Sequence, residues 1–149
     1  MKRRNILITG ASSGLGYTMA KLYAAQGRNL ALCARRVDKL EELKAEIAAS
    51  NPDVKVSVRS LDVNDHEQVF EVFKAFEQDL GHIDRVIVNA GMGKGASLGT
   101  GYFHANKQTA ITNFVSAIAQ CEAALEIFRK QNHGHLVTIS SMSAVRGFR

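Results

Sequence analysis

Asn5-Ile6-Leu7-Ile8-Thr9-Gly10-Ala11-Ser12-Ser13-Gly14-Leu15-Gly16 is the stretch on which the fold of this chain turns. An apolar run of strand length ends at a glycine. Leu15, Met19, Leu22 and Tyr23 then recur at helical spacing until Gly27 stops them. The pattern predicts a strand, a tight turn and a helix. Each glycine has its own task there: Gly10 lets the chain turn sharply out of the strand, Gly14 lets backbone approach a pyrophosphate, and Gly16 permits close packing of helix on sheet. The helix start adds free N–H groups and the positive end of its dipole, which suit phosphate. Ser12, Ser13 and Leu15 belong to the same turn and join the three glycines as cofactor-binding candidates. No GK[ST] follows, so a mononucleotide P-loop is not expected.

Working outward, Asn29–Ala34 is a second short apolar run, followed by Val37, Leu40, Leu43 and Ile47 on one face of a charged helix. Val54–Arg59 alternates apolar and polar residues, which predicts a strand at the sheet edge. Asn64 or Asp65 caps a third helix with Glu67 and Gln68 in capping-box position, and Val69, Val72, Phe73, Phe76 and Leu80 form its buried stripe. Asp84–Val88 reads as a fourth strand. The glycine-rich stretch Asn89–Gly101, without apolar periodicity, reads as a mobile loop. A long helix with Ile111, Phe114, Ile118, Cys121, Leu125 and Phe128 on one side leads to a fifth strand, His135–Ser140. Strands joined by helices of this length pair in parallel with right-handed crossovers. The expected fold is therefore α/β, a doubly wound parallel sheet of the Rossmann kind. It forms one domain over residues 1–149, incomplete at the C-terminus, since no helix is expected to cover the fifth strand.

Composition narrows the function. The 149 residues, 46% hydrophobic and 22% charged with a single proline, suit one globular core. The net charge of +5 is not gathered into a basic face with stacking aromatics, so no nucleic-acid partner is expected. Ile6–Ile8 is too short for a signal or membrane segment. Cys33 and Cys121 lack metal-ligand spacing, so no metal is expected, and without disulfides or targeting signals the expected setting is cytoplasmic.

Cofactor choice is written at the end of the second strand. NAD sites carry an acidic residue there for the ribose 2′-hydroxyl. This chain has Ala34 followed by Arg35 and Arg36. A carboxylate would repel a 2′-phosphate and guanidinium groups bind one, so the expected cofactor is NADP (NADPH).

With this glycine spacing, Asp62-Val63 after the third strand, Asn89-Ala90-Gly91 after the fourth, Asn113 in the long helix and Ile139-Ser140-Ser141 after the fifth, the chain resembles the short-chain dehydrogenases/reductases over essentially its whole length. The resemblance implies that Asp62 and Val63 border the adenine and that Asn89, Ala90 and Gly91 line the cofactor near the nicotinamide-side ribose. It implies Ser141 as the catalytic serine that polarises a substrate carbonyl, and Asn113 as the catalytic asparagine that holds a proton-relay water. Val88 stands where the family often has a further Asn. The family's acid is a tyrosine about thirteen residues past the serine, with a lysine four residues on, and the sequence stops at Arg149 before either. Tyr17-xxx-Lys21 has the same spacing but sits in the first helix, on the wrong side of the cofactor.

Two functions remain. One is an NADP-dependent oxidoreductase acting between a carbonyl and an alcohol on a small-molecule substrate, a homo-oligomer when full length, whose 149 residues alone turn over little or nothing because the general acid is missing. The other is a non-catalytic NADP(H)-binding sensor or regulatory module. The loop Met92–Gly101 and segments beyond the fifth strand would set the substrate.

Overall fold

The computed structural model describes residues 3–142. Strands β1 (Asn5–Thr9), β2 (Asn29–Ala34), β3 (Val56–Ser60), β4 (Arg85–Val88) and β5 (Leu136–Thr138) alternate with helices α1 (Gly14–Ala25), α2 (Val37–Ser50) and α3 (His66–Leu80). Between β4 and β5, α4 (Phe103–Ala110) continues through a π-helical turn (Ile111–Val115) into α5 (Ser116–Gln131). The strands form one parallel sheet in the order β3-β2-β1-β4-β5, with β3 at an edge as its alternation predicts. The chain leaves β1 toward β2 on one side and returns to β4 on the other, so a crevice opens past the carboxyl end of β1.

The central strands read as unbroken apolar runs because both of their faces are covered. Leu7, Ala31, Cys33, Val86 and Val88 pack toward Phe73 and Phe76 of α3 and Ala124 and Ile127 of α5. Their neighbours Ile6, Ile8, Leu30, Leu32 and Ile87 pack toward Ala20 and Ala24 of α1 and Leu40, Leu43 and Ile47 of α2. Phe73 and Phe76 are fully buried, each contributing about 2 kcal/mol by its apolar area.

Two helix faces differ from the pattern of large apolar residues. On α1 the buried residues are Gly16, Ala20 and Ala24, while Leu15 is 65% exposed and Leu22 also faces out. On α5 the buried positions are Ser116, Gln120, Ala123, Ala124, Ile127 and Phe128, whereas Ile118 and Leu125 are exposed, as is Phe114, at 68%, in the π-helical turn before it. Along α1 and at Ser116, Ala123 and Ala124 of α5 small side chains let the helix lie close against its neighbours, while Ile127 and Phe128 fill the core farther along α5.

Asp65, not Asn64, caps α3, its carboxylate accepting the Gln68 N–H at 3.1 Å. Gln68 does not return the bond to the cap; its side-chain oxygen accepts the Asp62 N–H at 3.3 Å. Strand β5 is shorter than expected, and whatever follows Met142 lies outside the described residues. No described helix is long and apolar enough to cross a membrane.

Candidate functional site

Gly10 leaves β1 with φ 66°, in the left-handed region that favours glycine. A Cβ there would come within 2.9 Å of the Ala90 Cα. Gly16 is tighter: a Cβ would lie 2.8 Å from Asn89 Nδ2 and would collide with the Gly10 carbonyl oxygen. Over Gly14 the space is open, with no atom within 4 Å of a Cβ position. Ser13 is the N-cap of α1 with an extended backbone and no side-chain cap bond, so its hydroxyl leaves the first N–H groups of the helix to another acceptor. A bare helix start beneath an open glycine is the arrangement a pyrophosphate needs.

The β4 end is stitched to this turn. Asn89 Nδ2 donates to the carbonyl oxygens of Thr9 at 3.0 Å and Gly10 at 3.4 Å. Thr9 Oγ1 accepts the backbone N–H groups of Asn89 and Ala90, both at 3.1 Å. Thr9 escapes a reading by motif because it looks like the last residue of a strand. The available signal is that a buried hydroxyl at a strand end needs partners, and two N–H groups just past the end of β4 supply them.

At the end of β2, Arg36 precedes the first residue of α2 and turns back over the glycine turn, donating to Ser13 Oγ at 2.7 Å and Ser12 Oγ at 3.1 Å. Arg35 lies beside Gly10, Asp62, Val63, Ala90 and Gly91 around a small cavity of about 90 Å³. Asp62 accepts the Asn64 N–H at 3.0 Å.

A larger cleft of about 570 Å³ opens between β4 and β5, where Asn89, Ala90, Gly91, Asn113, Ser140 and Ser141 meet. Asn113 lies in the π-helical turn. Its Oδ1 accepts the Met92 N–H at 2.8 Å and its Nδ2 donates to the Met92 carbonyl at 2.7 Å, so one amide satisfies one residue's backbone in both directions. Residues singled out in the sequence thus line two neighbouring cavities that share Ala90 and Gly91: Gly10, Arg35, Asp62 and Val63 the smaller, Asn89, Asn113 and Ser141 the larger, with the rest of the glycine turn and Arg36 beside Gly10.

Tyr17 and Lys21 stand apart from it. Both bond Glu46 of α2, the Tyr17 hydroxyl at 2.7 Å and Lys21 Nζ at 3.0 Å. The Glu46 hydrogen bond holds the Tyr17 phenol above its ordinary pKa, outweighing Lys21, which is opposite to what an acid working at neutral pH requires. Complete burial likewise pushes the Cys33 thiol far up, so it is not a nucleophile. Among the described residues no group of three or more His, Cys, Asp or Glu is placed to hold a metal ion.

Comparison with known proteins gives this crevice a lineage. An oxidoreductase of Mycobacterium tuberculosis is 59% identical over 145 residues, covering 97% of this chain and 57% of its own length. The crystal structure of an NADPH-dependent 3-quinuclidinone reductase from Rhodotorula rubra superposes with a TM-score of 0.89 at 33% identity, over 98% of this chain and 55% of that one. An NAD+-bound xylitol dehydrogenase does so at 0.90 and 26% identity, over 97% and 55%. The chain thus spans somewhat more than half the length of each of these three relatives. The family model described as short chain dehydrogenase matches residues 4–149, and the chain belongs to that family.

Proposed function

We propose that this chain supplies the cofactor-binding part of an NADP-dependent oxidoreductase that passes hydride between NADP(H) and a carbonyl or alcohol substrate. The observation that carries the cofactor choice is the Arg36 guanidinium, held over the glycine turn by the Ser12 and Ser13 hydroxyls, at a strand end without a carboxylate. A 2′-phosphate reaching that place meets a fixed charge and two hydroxyls, with Arg35 beside the adjoining cavity.

The remaining roles follow the crevice. Gly10, Gly14, Leu15, Gly16 and the open start of α1 would receive the pyrophosphate, Asp62 and Val63 the adenine, and Asn89, Ala90 and Gly91 the second ribose. When bound, the nicotinamide supplies or accepts the hydride. The Ser141 hydroxyl donates a hydrogen bond to the substrate oxygen. Asn113 keeps one lone pair and one N–H beyond those used by Met92, enough to hold a water that carries a proton. No tyrosine follows Ser141 in these 149 residues. A general acid of the kind the resemblance implies is not among them, and its contribution of about 10²–10⁴ in rate would be missing from the 149-residue chain assayed alone. The exposed Phe114, Ile118 and Leu125 support a homo-oligomer for the full-length protein.

Fluorescence titration of the chain with NADPH and with NADH tests the cofactor assignment. Tighter binding of NADPH supports it, and equal affinity or a preference for NADH refutes it.

A further inference from the structure

The adenine end and the substrate end of the crevice are joined by a polar contact that neither end needs for its own chemistry. Asn64, half-buried in the loop between β3 and α3, uses one oxygen, Oδ1, to accept two hydroxyls: Thr112 Oγ1 at 3.0 Å and Ser116 Oγ at 2.9 Å. Thr112 lies inside the π-helical turn, and Ser116 is the first residue after it. Both hydroxyl residues are buried, and the Ser116 hydroxyl lies 3.2 Å from His66 Nε2. Asn113, next to Thr112, grips Met92 in both directions. The Asn64 N–H is in turn held by the Asp62 carboxylate at 3.0 Å. A continuous path thus runs from Asp62 through Asn64 to the two hydroxyls, and through the π turn to Asn113 and Met92.

A π turn is wider than an α turn and is rarely favourable by itself. Two hydroxyls four residues apart, one in the wide turn and one just beyond it, converge on a single acceptor and so tie the turn to the loop that carries Asn64. We propose that Asn64 is a positioning residue: its oxygen holds the π turn in register with the adenine-side loop, so that occupation of one end of the crevice sets the placement of Asn113 at the other. This rests on the dinucleotide assignment above. Removing the acceptor leaves the buried Thr112 hydroxyl to find a partner elsewhere and Ser116 with His66 alone, which favours rearrangement of the turn.

The test compares NADPH with 2′-phospho-ADP-ribose, which lacks only the nicotinamide ring, by calorimetric titration of the 149-residue chain. The ratio of the two affinities isolates the share of binding at the nicotinamide end. Asn64→Leu, near in size but without an acceptor, is expected to cut that ratio about tenfold, and Asn64→Asp, which retains Oδ1, to restore most of it. Thr112→Val with Ser116→Ala should reproduce the loss, and adding Asn64→Leu to that pair should change little further, since all three remove one shared interaction. Equal proportional loss for both ligands in Asn64→Leu, or failure of Asn64→Asp to restore the ratio, overturns the proposal. If the wild-type chain binds neither ligand, the dinucleotide assignment has failed, and the positioning role is decided in the ligand-free chain by amide hydrogen exchange. Faster exchange at the Met92 N–H in Asn64→Leu, with the middle of α3 unchanged, upholds it. Unchanged exchange at Met92 overturns it.

Discussion

Replacing Gly16 by alanine sets two opposed effects against each other within one residue. Alanine is the better helix former by up to ~1 kcal/mol, so by propensity alone Gly16→Ala stabilises α1. Packing opposes it. The new methyl would sit 2.8 Å from Asn89 Nδ2, where ordinary contact begins near 3.4 Å, and closer still to the Gly10 carbonyl oxygen. Asn89 cannot yield freely, because the same amide donates to the Thr9 carbonyl at 3.0 Å. Overpacking of this kind costs about 1–3 kcal/mol and a lost hydrogen bond about 1 kcal/mol, so the net destabilisation after propensity is roughly 1–3 kcal/mol. For a domain of this length that lowers Tm by roughly 3–12 °C. Gly14→Ala is the control: it has φ 56° but open space, so it carries only the left-handed penalty of about 1–2 kcal/mol. Urea denaturation of the three proteins gives the stabilities, and NADPH titration reads the second consequence, weaker binding in Gly16→Ala as α1 moves away from the turn. A Gly16→Ala protein as stable as wild type would refute the claim that helix and sheet meet at their steric limit here.

Other outcomes follow from the same geometry. Arg36→Ala should weaken NADPH binding by about 10–100-fold while NADH binding stays nearly constant, the loss of charge-assisted bonds to a phosphate; parallel loss of both cofactors would instead assign Arg36 to the fold of the turn. Tyr17→Phe should leave NADPH affinity unchanged, since its hydroxyl serves Glu46; a marked loss would place α1's outer face in the site. Steady oxidation of NADPH by the 149-residue chain with a generic diketone should be undetectable, and its appearance would contradict the need for an acid beyond Ser141. Asp79 has its carboxyl held below the ordinary range, first by the Ser57 hydroxyl and then by Arg59. Because the folded pKa is the lower one, its stabilisation is complete above the unfolded value near ~4 and is lost as pH falls through the folded value. The urea midpoint should therefore drop less between pH 7 and pH 3 in Asp79→Asn than in wild type.

What the sequence disclosed and what it withheld separate along physical lines. The succession of strands and helices, the edge position of β3, a cap at Asn64 or Asp65 and the glycine turn are local or periodic, so spacing alone reveals them. The faces of α1 and α5 were legible in part: Met19, Tyr23, Cys121 and Phe128 pack on the core, but hydrophobic size was the wrong measure where close approach favours Gly16, Ala20, Ser116 and Ala123. The π-helical turn has no signature in residue type, and the residues it bonds lie outside the helix. Those partners are distant in sequence, Asn64 standing 48 residues from Thr112 and 52 from Ser116. Arg36 was visible as a charge, but its seat on Ser12 and Ser13 was not, since the two segments meet only when β1 and β2 pair.

The sheet order also has a kinetic side. Asn5 finds its partner Asn29 across 24 residues, but reaches the Asp84 carboxylate only across 79. Closing the longer loop costs about 1 kcal/mol more in chain entropy, and parallel pairing gives nothing back until the ends arrive. The β1–β2–β3 half can therefore assemble early, while the β1–β4 seam closes late. The crevice lies on that seam, with Thr9 on one side and Asn89 on the other. A ligand bound there spans the last contacts to form and the first to open, so its effect should be largest on the unfolding rate.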